Sequence, residues 1–241
     1  MANQFSFGSG ELWAIGQNDP TPIKFGTLQN VQVDYNSNVV ELHGAKQLPV
    51  AVGRGKMKVS GKAQFASIDA RVMSNLFFGV AATTGKNRVA SNEVGTVATA
   101  KVTVANAATF SLDLGVVEKS TGLVLKKVTG TPSANEYSVA LGVYTFDASM
   151  NGKDVYLDYE YTVAGSGNTI VLTNQNLGEQ PVFKLVLRSS YNNKQTVITF
   201  NRCVATSYTF QTQQENFTIP DFAFSAFTDD ADELGSISTE V

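Results

Sequence analysis

The chain holds one cysteine, Cys203, and one histidine, His43. A lone thiol cannot close an intrachain bridge, so no disulfide framework supports the fold and no oxidising compartment is required. A lone histidine excludes a two-histidine zinc site and a zincin-type helix. Only 16% of the 241 residues are charged, against roughly 25% in an average domain. The formal net charge is −3, with no Lys/Arg excess, so there is no electrostatic basis for tight duplex binding. No apolar run approaches the roughly 20 residues of a membrane span. Residues 1–5 (MANQF) do not begin a basic segment followed by a long apolar one, and the expectation is a chain made and kept in soluble form, with no membrane partner.

What is abundant is Gly, Thr, Ser, Asn and Val, a composition of strands and turns. Alternation with period two recurs along most of the chain. Over residues 54–65, Met57, Val59, Ala63 and Phe65 fall on one face with Gly55 and Gly61 between them, while Arg54, Lys56, Lys58, Ser60, Lys62 and Gln64 fall on the other. Over 155–163, Val155, Leu157, Tyr159, Tyr161 and Val163 oppose Tyr156, Asp158, Glu160 and Thr162. Further strands are expected at 27–35, 98–104, 182–188, 195–204 and 206–219. One helix is expected at 67–79, with Ser67 as N-cap, Asp69 in the first turn, an apolar stripe of Ile68, Val72, Met73, Leu76 and Phe77, and Gly79 at the stop.

These elements divide the chain into a core made of residues 1–80 and 181–227, a β-rich section 81–180 elaborated from or inserted into it, and a tail 228–241. Small, polar residues at 81–99 read as a connector. The tail carries Asp229, Asp230, Asp232, Glu233 and Glu240 with no basic residue, which reads as a mobile, solubilising segment.

No residue set nominates an active site, a metal or a cofactor, and the expectation is a non-enzyme. No Gly-x-Ser-x-Gly elbow is present to accompany His43. Asp158 and Glu160 share one strand face, where they cannot flank a sugar from opposite sides. Asp229 to Glu240 has the spacing of an EF-hand loop, but Ala231 and Leu234 occupy slots that need an oxygen ligand and glycine. Gly165-Ser166-Gly167-Asn168 lacks the Lys-Ser/Thr of a phosphate loop. The basic face Lys56, Lys58 and Lys62 is open to three readings: a solvated face, charge pairing with a neighbouring subunit, or contact with nucleic acid.

The segment 24–35, continuing through Glu41-Leu42-His43-Gly44-Ala45-Lys46-Gln47-Leu48-Pro49-Val50-Ala51-Val52-Gly53-Arg54-Gly55-Lys56 to 61–63, resembles the N-terminal part of bacteriophage tail tube proteins. There a strand leads into an extended E-L-x-G-x-x-x-x-P-V-A-x-G-R-G loop, a returning strand and a short helix. Tyr137-Ser138-Val139, Gly142-Val143-Tyr144-Thr145-Phe146 and the run 155–161 are similar to a second pattern of the same structural proteins. Together they cover about half the chain.

The resemblance implies a mainly β protein: a two-sheet β-sandwich, barrel-like, with one short flanking α-helix and a long extended loop. It implies homo-hexameric rings stacked into a tube, other tail proteins at the tube ends, a sheath in contractile relatives, and transient, non-specific passage of viral DNA. Such a protein is assembled in the host cytoplasm and resides in the virion tail. The inter-ring contact is expected in the loop 36–55, at Glu41, Leu42, His43, Gly44, Pro49, Val50, Gly53 and Arg54. Intersubunit charge pairing is expected at Lys56, Lys58 and Lys62. Two alternatives stay open: a tube subunit of a bacterial injection system, and a β-sandwich that binds carbohydrate or a cell surface.

Overall fold

A computed structural model describes residues 6–67 and 69–240. Residues 1–5 and Ile68, the head of the expected apolar stripe, lie outside the described residues. The chain folds as two compact units, one built from Met1–Ala82 with Ile170–Val241, the other from Thr83–Thr169. The second unit is narrower than the section 81–180 marked out by composition.

The first unit opens with β1 (Glu11–Gly16), β2 (Ile23–Lys24), β3 (Leu28–His43) and β4 (Pro49–Phe65). A seven-residue helix of π type follows at Val72–Phe78 and stops at Gly79, whose φ of 63° is a conformation glycine adopts without strain. This helix begins later than expected from 67: Ala70 and Arg71 are α-helical and Val72–Phe78 continues as π. Asp69 accepts the backbone N–H of Arg71 (2.9 Å), so the first turn is held by Asp69 and not by Ser67. Val72, Ser74 and Leu76 are its buried residues.

The inserted unit contains β5 (Thr83–Thr96), β6 (Lys101–Thr103), β7 (Phe110–Glu118), β8 (Lys126–Lys127), β9 (Glu136–Ala140), β10 (Val143–Phe146) and β11 (Asp154–Thr169). Sheets of order β6-β10-β9-β8 and β5-β11-β7 share a core of Val102, Val116, Tyr137, Tyr144, Phe146, Val155, Leu157 and Tyr159. The inward positions of the alternation at 155–159 are thus the buried ones. The expected connector at 81–99 is instead mostly β5, a terminal strand of its sheet. Its polar composition fits a strand covered on one side only. The strand expected at 98–104 shortens to β6.

The chain then returns to the first unit with β12 (Val182–Tyr191), β13 (Lys194–Thr209), β14 (Asp221–Phe227) and β15 (Gly235–Thr239). The strand expected at 206–219 forms only over 206–209, as the end of β13, and 210–220 is a loop. One sheet runs β2-β1-β12-β13-β14-β4-β3, with β15 also paired to β13. Its inward residues Leu12, Phe65, Phe183, Leu185, Phe200, Phe222 and Phe224 form a core with Val72 and Leu76 of the helix. Gly61 belongs to that core by subtraction: a Cβ there would lie 2.5 Å from both the Gln32 carbonyl oxygen and Cζ of Phe224.

The acidic tail is ordered, contrary to the reading from composition. β15 pairs with residues 196–200 of β13. Asp229 folds the preceding turn by accepting the N–H groups of Ala231 and Glu233 (3.0 Å each) and the amide of Asn201 (2.7 Å). Arg202 holds Asp230 through two hydrogen bonds of 2.8 and 2.6 Å. Of the acids that suggested disorder, Asp229 caps the turn, Asp230 is held by Arg202 and Glu240 accepts the N–H of Gln195 (3.1 Å).

Candidate assembly surface

Hydrogen bonding between β4 and β14 ends at Val59 opposite Ala226. Beyond that point β3 and β4 continue with each other alone: Asn36 faces Lys58, Ser37 Met57, Val39 Arg54, Val40 Gly53, Glu41 Val52, Leu42 Ala51 and His43 Pro49. The segment 36–55, expected as a long extended loop, is therefore a two-stranded ribbon with a tip at residues 44–48. At the strand rise it extends roughly 30 Å past its last sheet neighbour. Gly44, Gly53 and Gly55 do not take positive φ. They sit in or beside the ladder that pairs 36–43 with 49–58.

Two register shifts shape the ribbon, one between Ser37 and Val39, the other between Leu42 and His43. The first inserts an extra residue into β4. Cross-strand partners share a face, so Lys58 (opposite Asn36) and Lys62 (opposite Gln32) lie on one face, while Arg54 (opposite Val39) lies on the other. The continuous basic face read from alternation over 54–65 is broken by this bulge. Lys62 also stands beside Ala223 of β14, within the sheet proper. The second shift leaves Val50 without an opposite partner.

Apolar side chains are exposed on both faces. Val39 and Val52 are 60% and 62% exposed on the face of Arg54, and Val40 and Leu42 are 63% and 64% exposed on the other; Leu48 and Val50 at the tip are more exposed still. Glu41 and His43 share a face, with Nε2 of His43 3.1 Å from Oε2 of Glu41. Gly44, Pro49 and Val50 line an open apolar depression at the tip with Leu48. Eight expected contact residues, Glu41, Leu42, His43, Gly44, Pro49, Val50, Gly53 and Arg54, thus lie on one ribbon. Lys56 and Lys58 stand at its base and Lys62 in the sheet.

The alternation was correct for Val59, Ala63 and Phe65, which are buried, and incorrect for Met57, which is exposed. The buried core of the unit reaches Val59 and stops before Met57. Apolar residues on both faces of the E-L-x-G to P-V-A-x-G-R stretch were readable in the sequence; their bulged register was not.

Several ionisable groups elsewhere are tied into the fold. Asp113 of β7, its side chain 3% exposed, accepts hydrogen bonds from the hydroxyls of Tyr137 (2.8 Å) and Tyr144 (2.9 Å) and pairs with Lys127 at 2.9 Å. Burial pushes its carboxyl up, but the hydrogen bonds from Lys127, Tyr137 and Tyr144 and the Lys127 charge outweigh that and hold it below its ordinary value. Asp158 accepts the N–H of Asn92 at 2.6 Å, where β5 and β11 shift register. Cys203 is buried, and desolvation pushes its thiol up to about 12. Among the described residues, no three His, Cys, Asp or Glu side chains are grouped to hold a metal. No helix among them is long and apolar enough to cross a membrane. No protein-family model and no curated protein matches the chain.

Proposed function

We propose that the chain is the structural subunit of a tail tube, a homo-hexameric ring that stacks on copies of itself around a channel for genome passage. The observation that carries this reading is the β3–β4 ribbon, which has exposed apolar side chains on both faces and pairs with no third strand among the described residues. A two-stranded ribbon is marginal in water by itself, and contiguous exposed apolar side chains mark a contact surface.

The sheet ends are the second support. β2 and β3 are its terminal strands, and a terminal strand offers unpaired N–H and C=O groups to a neighbour. Pairing one subunit's end with the next is a heterologous contact, which closes into a ring when the rotation allows. The ribbon then reaches out of the ring to the next one. A net charge of −3 suits a conduit that lets DNA pass without holding it. The subunit resides in the virion tail, bounded by other tail proteins at the tube ends. A tube of a bacterial injection system has the same subunit logic and differs in cargo.

Negative-stain electron microscopy over a concentration series, with light scattering on the same samples, tests the reading. Rings or hollow tubes are expected. A persistent monomer at high concentration in the presence of tube-end components would contradict it and make a glycan array the next experiment.

A further inference from the structure

The register of the first unit places two unlike surfaces at opposite ends of one sheet. At one end the ribbon leaves the sheet below Val59. At the other, Gln64 and Thr209 both stand opposite Asp221, and the loops 17–22, 66–82, 170–181 and 210–220 emerge there. These loops carry Asp19, Asp69, Glu179 and Glu215 against Arg71 alone, and Arg71 is already paired with Asp69 at 2.7 Å. The ribbon has the opposite balance. Between residues 36 and 58 its only carboxylate is Glu41, and none of Lys46, Arg54, Lys56 or Lys58 has an ion-pair partner among the described residues.

The loop 210–220 adds an apolar match. Phe217 is 88% exposed, and Phe210 and Ile219 are exposed with it, flanking Glu215. Aromatic side chains of this kind anchor protein contacts when they find a partner surface. A cationic, apolar ribbon at one end and an acidic, aromatic loop at the other are complementary in charge and in polarity, and within one chain they cannot meet.

We propose that the ribbon tip of one copy docks on the loop 210–220 of a second copy, with Leu48 and Val50 against Phe217 and the ribbon cations facing Glu215. The assignment rests on the tube reading and names the receptor that the ribbon uses. The contact is head to tail and does not close on itself, so it propagates along an axis. The competing receptor is the acidic turn 229–233. Two of its four acids are taken, Asp229 by backbone N–H groups and Asp230 by Arg202, and it has no exposed aromatic side chain to match Leu48 and Val50.

Two variants of the full chain, Val50→Cys and Phe217→Cys, are mixed under assembly conditions and treated with a flexible bismaleimide. The buried Cys203 thiol, pushed up to about 12, stays silent, so only the new thiols react. The expected dominant product joins one chain of each kind, on grids that show tubes. Tubes in which Val50→Cys links instead to Glu233→Cys would overturn the docking and leave the tube reading standing. No rings or tubes from wild type or either variant would overturn both. Leu48→Cys replaces Val50→Cys if the latter loses β circular dichroism.

Discussion

The two halves of the β3–β4 hairpin share strands and composition but not surroundings. In the inner half, Val59, Ala63 and Phe65 point into a core closed by Phe222, Phe224 and the helix. In the outer half, Val39, Val40, Leu42 and Val52 point into solvent. Alternation thus reports a core only where a second layer covers one face. Where no layer exists, apolar residues on both faces indicate a surface completed by another molecule.

Substitutions should divide along the same line. The largest effect on the subunit is expected at Phe224→Ala, fully buried in the inner half's core, at about 3–5 kcal/mol in urea unfolding. Gly61→Ala should follow at about 2–3 kcal/mol, because its methyl would enter the ring of Phe224 and the Gln32 carbonyl. A loss under about 0.5 kcal/mol at either position would show that the inner half is as loosely packed as the outer.

Covered polar groups sharpen the contrast. Asp113→Ala would leave the Tyr137 and Tyr144 hydroxyls without their acceptor, at about 2–3 kcal/mol. The folded carboxyl lies below its ordinary value, so its stabilisation is complete above an unfolded pKa of about 4 and is lost as pH falls through the folded one. Hydrogen-exchange protection factors of peptides from residues 83–169, taken relative to the intrinsic rate at each pH, should fall on acidification, and less so in Asp113→Asn. An equal acid response in both would remove Asp113 from the account.

The smallest effects on folding belong to the outer half. Val40→Ser with Leu42→Ser should change stability by no more than about 0.5 kcal/mol yet abolish tube formation in light scattering. Lys56→Glu, Lys58→Glu and Lys62→Glu together should likewise leave circular dichroism intact and impair assembly. Tubes unchanged by the triple variant would return these lysines to a solvated face.

The mainly β class was legible because alternation at 54–65 and 155–163 is long and regular. The register was not, because a bulge such as that between Met57 and Arg54 adds one residue without altering composition. β5 and β15 were missed for a related reason. Neither strand has a buried residue, so nothing in their composition marks a core face, and Asp229, which caps a turn, looks in sequence like one acid among many. In sequence the ribbon looks like a loop because Gly44, Gly53 and Gly55 surround Pro49, although strand geometry tolerates glycine where two backbones run close.

The most direct test replaces residues 39–53 by a two-residue Asn-Gly turn, which suits a tight hairpin, and compares this chain with wild type by circular dichroism and electron microscopy. The account predicts an unchanged β spectrum and no tubes beside abundant tubes from wild type. Tubes of wild-type length from the trimmed chain, or collapse of its β spectrum, would contradict the claim that the ribbon is an assembly surface outside the core.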